Sequence, residues 1–197
     1  MEEENKKEKE GASFSMQVKE ELSYVEGTSR HCKLAELAAL VLCCGRLVDR
    51  KKDDGYKDSC ISKTLLFESE NETVLRKYFT FVQKTFNIET AIVIREGSHL
   101  KRGRVYLVEV TDPARAEEVL QGTKLSVDNK TGLLEMDNSL VVQMSCCKRA
   151  FIRGTFLSSG SISDPEKGYH FEIVCPDKRK AEQLQGIIRS FHVEAKI

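Results

Sequence analysis

The chain has 197 residues, with 31 basic and 31 acidic side chains, four His, seven Cys, no Trp and three Pro. That length builds one large domain or two small ones, and a formal net charge of zero gives no global attraction to nucleic acid, so any such site must rest on local basic patches. No apolar run approaches the roughly 18–20 residues of a membrane span. The charged start MEEENKKEKE has no apolar segment behind it of the kind a secretory signal carries. A cytoplasmic protein without a membrane partner is expected. The cysteines at 32, 43, 44, 60, 146, 147 and 175 are odd in number and include adjacent pairs, which argues against a disulfide framework. They form C-C doublets with no His at ligand spacing, which argues against zinc. Small reduced thiols in a core, and no metal or other cofactor, are expected.

Residues 1–12 are charged and apolar-free and read as a tail. Phe14, Val18 and Leu22 recur at helical spacing, which predicts a short amphipathic helix over 14–23. The segment CKLAELAALVLCCGRL (32–47) is apolar almost all round and meets a stop signal at Gly45, as a buried helix does. Strands are predicted at 46–50 and 64–69, joined by a polar stretch. Asn71 can cap a helix carrying Val74, Leu75, Tyr78, Phe79, Val82 and Phe86 on one face. Strands at 89–95 and 104–110 flank the loop EGSHLKRG. Asp112-Pro113 reads as N-cap and first turn of a helix over 113–120. Residues 121–140, with Gly122, Gly132 and Asp128-Asn129, read as loop.

An internal repeat then organises the chain. Cys32, Lys33, Ala35 and Gly45 match Cys147, Lys148, Ala150 and Gly160 at a constant offset of 115. Further on, Phe86, Ile88, Glu89 and Ile92 match Phe191, Val193, Glu194 and Ile197 at an offset of 105. The fold class is therefore α+β, with tandem α-β-β-α-β-β-α repeats of which the second is truncated. The divisions are a tail (1–12), an N-terminal helix and turn (13–31), a first repeat (32–120), a linker (121–146) and an incomplete second repeat (147–197). The early end of the second copy suggests a piece of something longer. Small residues recur every fourth position in both buried helices: Ala35, Ala39 and Cys43 in one, Ala150, Gly154 and Ser158 in the other. Such rows allow close backbone approach. The two helices are expected to pair about a pseudo-two-fold axis.

Leu37–Gly45 (LAALVLCCG) and Ile152–Gly160 (IRGTFLSSG) resemble the LAGLIDADG motif of homing endonucleases, in two copies. More narrowly, SFSMQVKEELSYV, CKLAELAALVLCCGRL and CCKRAFIRGTFLSSGSISDPEKGYHFEIV resemble the WhiA family of bacterial DNA-binding regulators over about residues 13–197. The resemblance implies paired central helices with two saddle-shaped sheets gripping double-stranded DNA. It implies roles in transcription regulation, sporulation, cell division or chromosome segregation, at the nucleoid. It also implies a helix-turn-helix domain beyond the second repeat, the main DNA-binding part, for which this sequence has no residues. In the endonucleases an acidic residue just before the final Gly of each motif binds Mg²⁺. Here those positions are Cys44 and Ser159, neutral at pH 7 and poor ligands for a hard cation, so no catalysis is expected. Candidate DNA contacts are Arg95, Lys101, Arg102 and Arg104 around the second hairpin, with His99 at its tip, and Arg50 and Lys52 at the first. Further basic groups are Lys178, Arg179 and Lys180, and Lys148, Arg149 and Arg153. Two other readings stay open: a Mg²⁺-dependent endonuclease or nickase, and a protein-interaction scaffold without DNA contact.

Overall fold

The computed structural model describes residues 13–51, 61–96, 104–128, 131–136 and 139–197. Helix α1 (Phe14–Ser23) starts where the Ser13 hydroxyl accepts from the Met16 N–H. Helix α2 (Arg30–Cys44) runs straight into strand β1 (Gly45–Lys51). Gly45 makes this possible, because a Cβ there would lie 2.5 Å from the Val41 carbonyl oxygen. Strand β2 (Ile61–Ser69) pairs antiparallel with β1. Helix α3 (Glu72–Phe86) follows, capped by the Asn71 side chain on the Thr73 and Val74 N–H groups. Strands β3 (Ile92–Glu96) and β4 (Arg104–Val110) complete a sheet of order β1-β2-β4-β3. Helix α4 (Pro113–Thr123) is capped by Asp112. The first unit is thus α-β-β-α-β-β-α.

Alternate residues of a strand face opposite sides. Leu65, Phe67, Tyr106, Val108 and Val110 share the side turned to the helices and are buried. They meet Leu37, Leu40 and Val41 of α2 and the buried stripe Val74, Leu75, Tyr78, Phe81 and Val82 of α3. The Phe67 and Tyr78 rings stack 4.0 Å apart. Burial of this kind is worth about 1.5–3 kcal/mol per large apolar side chain.

The second unit begins with helix α5 (Ser145–Ser159), again running directly into a strand, β7 (Gly160–Ile162), paired with β8 (Phe171–Ile173). Helix α6 (Lys178–Arg189) follows. Residues 193–197 take no strand structure, and among the described residues β7 and β8 pair with each other alone.

The stretch 121–140 is not the expected loop. Helix α4 continues to Thr123, strands β5 (Leu125–Val127) and β6 (Leu134–Met136) form a small hairpin, and a 3₁₀ turn covers Ser139–Val142. Gly122 sits inside α4 rather than ending it. A Cβ there would lie 2.6 Å from the Phe86 ring, so the glycine serves packing. The stop comes at Lys124, in the left-handed region at φ 56°.

Helices α2 and α5 lie face to face. Ala35, Ala39, Ala150 and Gly154 are buried along the seam, while Cys43 and Ser158 lie nearer its open end. A Cβ on Gly154 would stand 2.6 Å from the Glu36 carbonyl oxygen and 2.9 Å from the Ala39 Cβ. The seam also holds a charged group. The Glu36 carboxylate, fully buried, accepts from Arg153 of α5 through Nε at 3.0 Å and through a second guanidinium nitrogen. The Lys77 ammonium of α3 lies 2.5 Å from Oε1, the oxygen that also accepts from Arg153 Nε. Lys77 also donates to the Leu22 and Val25 carbonyls, at 3.1 and 2.8 Å, which ties down the end of α1. Burial lowers the pKa of Lys77, and the Glu36 charge opposes that shift.

Gly154→Ala should push the two helices apart and cost about 1–3 kcal/mol in urea denaturation. Glu36→Gln, which leaves Lys77 without its counter-charge, should cost about 3–5 kcal/mol. Glu68→Gln, which removes an exposed partner of Arg46, should cost under about 1 kcal/mol in the same measurement.

Candidate functional site

The helix pair has two ends, and chemistry-bearing side chains gather at both. At the C-terminal end Cys43 lies near Ser159 and Cys44 near Ser158, and the two hydroxyls donate to the Thr155 and Gly154 carbonyls of their own helix. The offset of 115 carries 43 to 158 and 44 to 159, so the two contacts are mates across the pseudo-two-fold axis. Lys19 of α1 lies close to Cys44, with its pKa lowered by burial and partly restored by that thiol. The carboxylate that acts on Cys44 is Glu68, which is already engaged by Arg46 at 3.0 Å. Cys43 is pushed up to about 12, first by burial and then by Cys44 and Cys175. Burial also raises Cys44. Both thiols are therefore protonated near neutrality and offer no anionic oxygen to a hard cation.

The candidate DNA contacts divide. Lys52, Lys101 and Arg102 lie outside the described residues, as does His99. Arg50 occupies the register position opposite Ser62. Arg95 is exposed on β3 opposite Val105, while Arg104 occupies the register position opposite residue 96. By alternation Arg95 faces away from the helices with Leu66 and Leu107, and Arg104 falls on the helix side with Tyr106. Its position there is visible at Glu72, the first residue of α3, whose pKa is lowered first by Arg76 and further by Arg104. The second-repeat basic groups are largely spent within the protein. Arg153 holds Glu36, Arg149 lies 5.4 Å from the centre of the Phe191 ring, and Lys178, Arg179 and Lys180 pair with Glu182, Glu135 and Asp177.

The N-terminal end of the pair holds a group that the spacing rules missed. Among the described residues, His31, Cys32, Cys146 and Cys147 place one ligand atom each within 4.8 Å of one another. The His31 Nδ1 lies 3.1 Å from the Cys147 sulfur and 3.4 Å from the Cys32 sulfur. Cys32 is raised to about 11 by burial first, then by hydrogen bonding and repulsion from Cys146 and repulsion from Cys147. The chain carries no metal-ligand spacing, and folding nonetheless brings these four side chains together. Each ligand pair is contiguous in sequence, and the pairs meet only because α2 and α5 do. The readable signal was the repeat itself, since the offset carries 31 to 146 and 32 to 147.

Family comparison agrees with this duplicated architecture. A family model described as the WhiA N-terminal LAGLIDADG-like domain matches residues 30–126, and one described as the WhiA LAGLIDADG-like domain matches residues 148–197. The chain belongs to the WhiA family. The "Probable cell division protein WhiA" of Lachnoclostridium phytofermentans is 48% identical over 187 residues, covering 94% of this chain and 57% of that protein. Its counterpart in Alkaliphilus metalliredigens is 35% identical over 189 residues, covering 94% and 56%. The chain thus spans a little over half the length of these WhiA relatives. Full-length DUF199/WhiA from Thermatoga maritima superposes with a TM-score of 0.62 at 19% identity, covering 94% of this chain and 53% of that one. I-DmoI in complex with DNA and Mn superposes with a TM-score of 0.57 at 16% identity, covering 86% and 82%. At these identities the likeness is one of fold. Among the described residues no helix is long and apolar enough to cross a membrane.

The Cys43 thiol makes stability pH-dependent. Its ordinary value is 9.0 and its folded value about 12, so on alkalinisation the unfolded chain loses this proton first. Stability should fall between about pH 9 and 12, by at most about 1.4 kcal/mol per pH unit from this group. Urea denaturation of Cys43→Ala across that range should show a shallower decline.

Proposed function

We propose that this chain is a non-catalytic LAGLIDADG-like platform of a WhiA-type cell division protein that engages double-stranded DNA in transcription regulation, chromosome segregation or sporulation. The observation that carries the reading is the chemistry at the C-terminal end of the helix pair. Two thiols and two hydroxyls meet there, and the acid near Cys44 is held by an arginine. Phosphodiester hydrolysis by a divalent cation needs anionic oxygen ligands that bind the ion and let it activate water. Neutral thiols and hydroxyls do not supply them.

The DNA surface proposed is the sheet face turned away from the helices, with Arg95 on it and Lys101, Arg102, Arg50 and Lys52 contributed by the adjoining hairpin segments. Arg104 is left out by its register. Lysine and arginine contacts to phosphates supply the sequence-independent part of binding. In the longer relatives a further domain is proposed to carry the main DNA contact, leaving this platform to support it and to receive protein partners. An apolar groove of about 880 Å³ beside β8, lined by Phe171, Ile173, Leu184, Ile188 and Val193, favours reading the second repeat as incomplete. In the first repeat β4 packs on α3 over the corresponding face.

Two assays on the full chain test this. Supercoiled plasmid incubated with Mg²⁺ or Mn²⁺ should stay uncut, and chelator-sensitive nicking or linearisation would establish the endonuclease reading instead. In gel shifts with duplex DNA, Arg95→Ala with Arg102→Ala should weaken binding about three- to tenfold and flatten the log–log salt dependence by about 2. Arg104→Ala should leave both unchanged. No shift at any salt would favour the interaction scaffold, and a shift indifferent to the paired substitution would move the DNA surface away from these arginines.

A further inference from the structure

We propose that His31, Cys32, Cys146 and Cys147 form a Cys₃His site for zinc or a similar thiolate-preferring cation, which clasps the two repeats together at the end of the helix pair remote from Cys44 and Ser159. Tetrahedral zinc, with bonds of about 2.3 Å to sulfur and 2.0–2.1 Å to nitrogen, holds its ligand atoms about 3.5–3.8 Å apart. The four ligand atoms here already lie within 4.8 Å of one another, with nitrogen–sulfur separations of 3.1 and 3.4 Å. Ligand type selects the cation. Three sulfurs and an imidazole suit zinc and softer ions and disfavour magnesium or calcium.

The arrangement is symmetric in a way that a chance cluster is not. The repeat offset exchanges His31 with Cys146 and Cys32 with Cys147. The contact of His31 with Cys147 therefore has a mate in the pair Cys32 and Cys146, whose sulfurs lie within 4.8 Å of each other. Each helix supplies two adjacent ligands, and four ligands in two such pairs fit the two-fold symmetry of a tetrahedron. Cys32 and Cys147 are buried, Cys146 is half-buried and His31 is exposed, so the ion has an entry side and a sheltered side.

Charge balance supports an occupant. Three S–H protons leave to solvent as the ion binds, and three thiolates, a neutral imidazole and Zn²⁺ leave one net negative charge. That charge falls at the N-termini of two 15-residue helices, where the backbone dipoles favour it. Neither Ser29 nor Met144 caps its helix with a side-chain hydrogen bond, so first-turn N–H groups remain for the thiolates. Four protein ligands fill the coordination sphere, so the site is structural, with no open position for substrate.

The test uses the full chain, kept reduced with a non-chelating phosphine and titrated with Co²⁺ and then Zn²⁺. The expected result is one Co²⁺ per chain, with the sulfur-to-metal charge-transfer band and intense visible bands of a tetrahedral thiolate site, displaced by one Zn²⁺ that raises the melting temperature. His31→Ala and Cys146→Ser change exposed or half-buried groups and should leave the metal-free melting temperature near its original value. Each should weaken Zn²⁺ binding by more than the roughly 10–100-fold cost of losing an outer-shell partner. Cys43→Ser and Cys175→Ser should bind as the parent does. Failure of the reduced chain to bind, an octahedral cobalt spectrum, or binding that survives Cys146→Ser with Cys147→Ser would overturn the proposal.

Discussion

The carboxylate of Glu36 is the constraint around which the rest is arranged. It sits fully buried in the seam between two close-packed helices, a place where an unpaired charge costs several kcal/mol. Arg153 from one repeat and Lys77 from the other neutralise it, and Lys77 in turn holds the two carbonyls that end α1. One anion thus fixes the register of α2 against α5, the seating of α3 and the docking of the N-terminal helix. Gly154 is required at the same spot, since its missing side chain lets α5 approach the Glu36 backbone. A buried ion group is a poor source of net stability, but it is selective, because a seam slipped by one turn would part Arg153 from Glu36 and leave its charge unpaired.

The repeated α-β-β-α-β-β-α order was legible because each step has a local cause: the all-apolar helix ended by a glycine, the Asn71 and Asp112 caps, the one-sided stripe of α3. The row of small residues likewise had a periodicity that pointed to one face of each helix. What the residues did not disclose was tertiary. Glu36 and Lys77 carry no motif, although a glutamate within a helix apolar almost all round is the mark of a buried partner. Gly122 reads as part of a loop, yet it lies inside α4 with Phe86 packed where its side chain would be. Arg104 and Arg95 look alike in a basic loop, and only strand register separates them. His31 and the three thiols have no ligand spacing along the chain, since folding rather than sequence brings them together.

The helix pair is chemically polarised. Thirteen residues at 1.5 Å each separate His31 from Cys44, about 20 Å. One end gathers imidazole and thiols beneath uncapped helix starts, and the other gathers protonated thiols and hydroxyls beside the sheets. A scaffold whose metal-holding end and sheet-bearing end are opposite can be firm at one and free of hard cations at the other.

The absence of any loop between α2 and β1, and again between α5 and β7, has a mechanical result. Each sheet is welded to the tip of its own helix, so it cannot swing independently of it. The first strand runs about 23 Å beyond the joint, at 3.3 Å for each of seven residues. A change of 10° in the crossing angle of the helices would sweep its far end through about 4 Å, roughly the spacing between neighbouring strands. The central seam is therefore a pivot, and the span between the two sheets is set by how tightly that pivot is held.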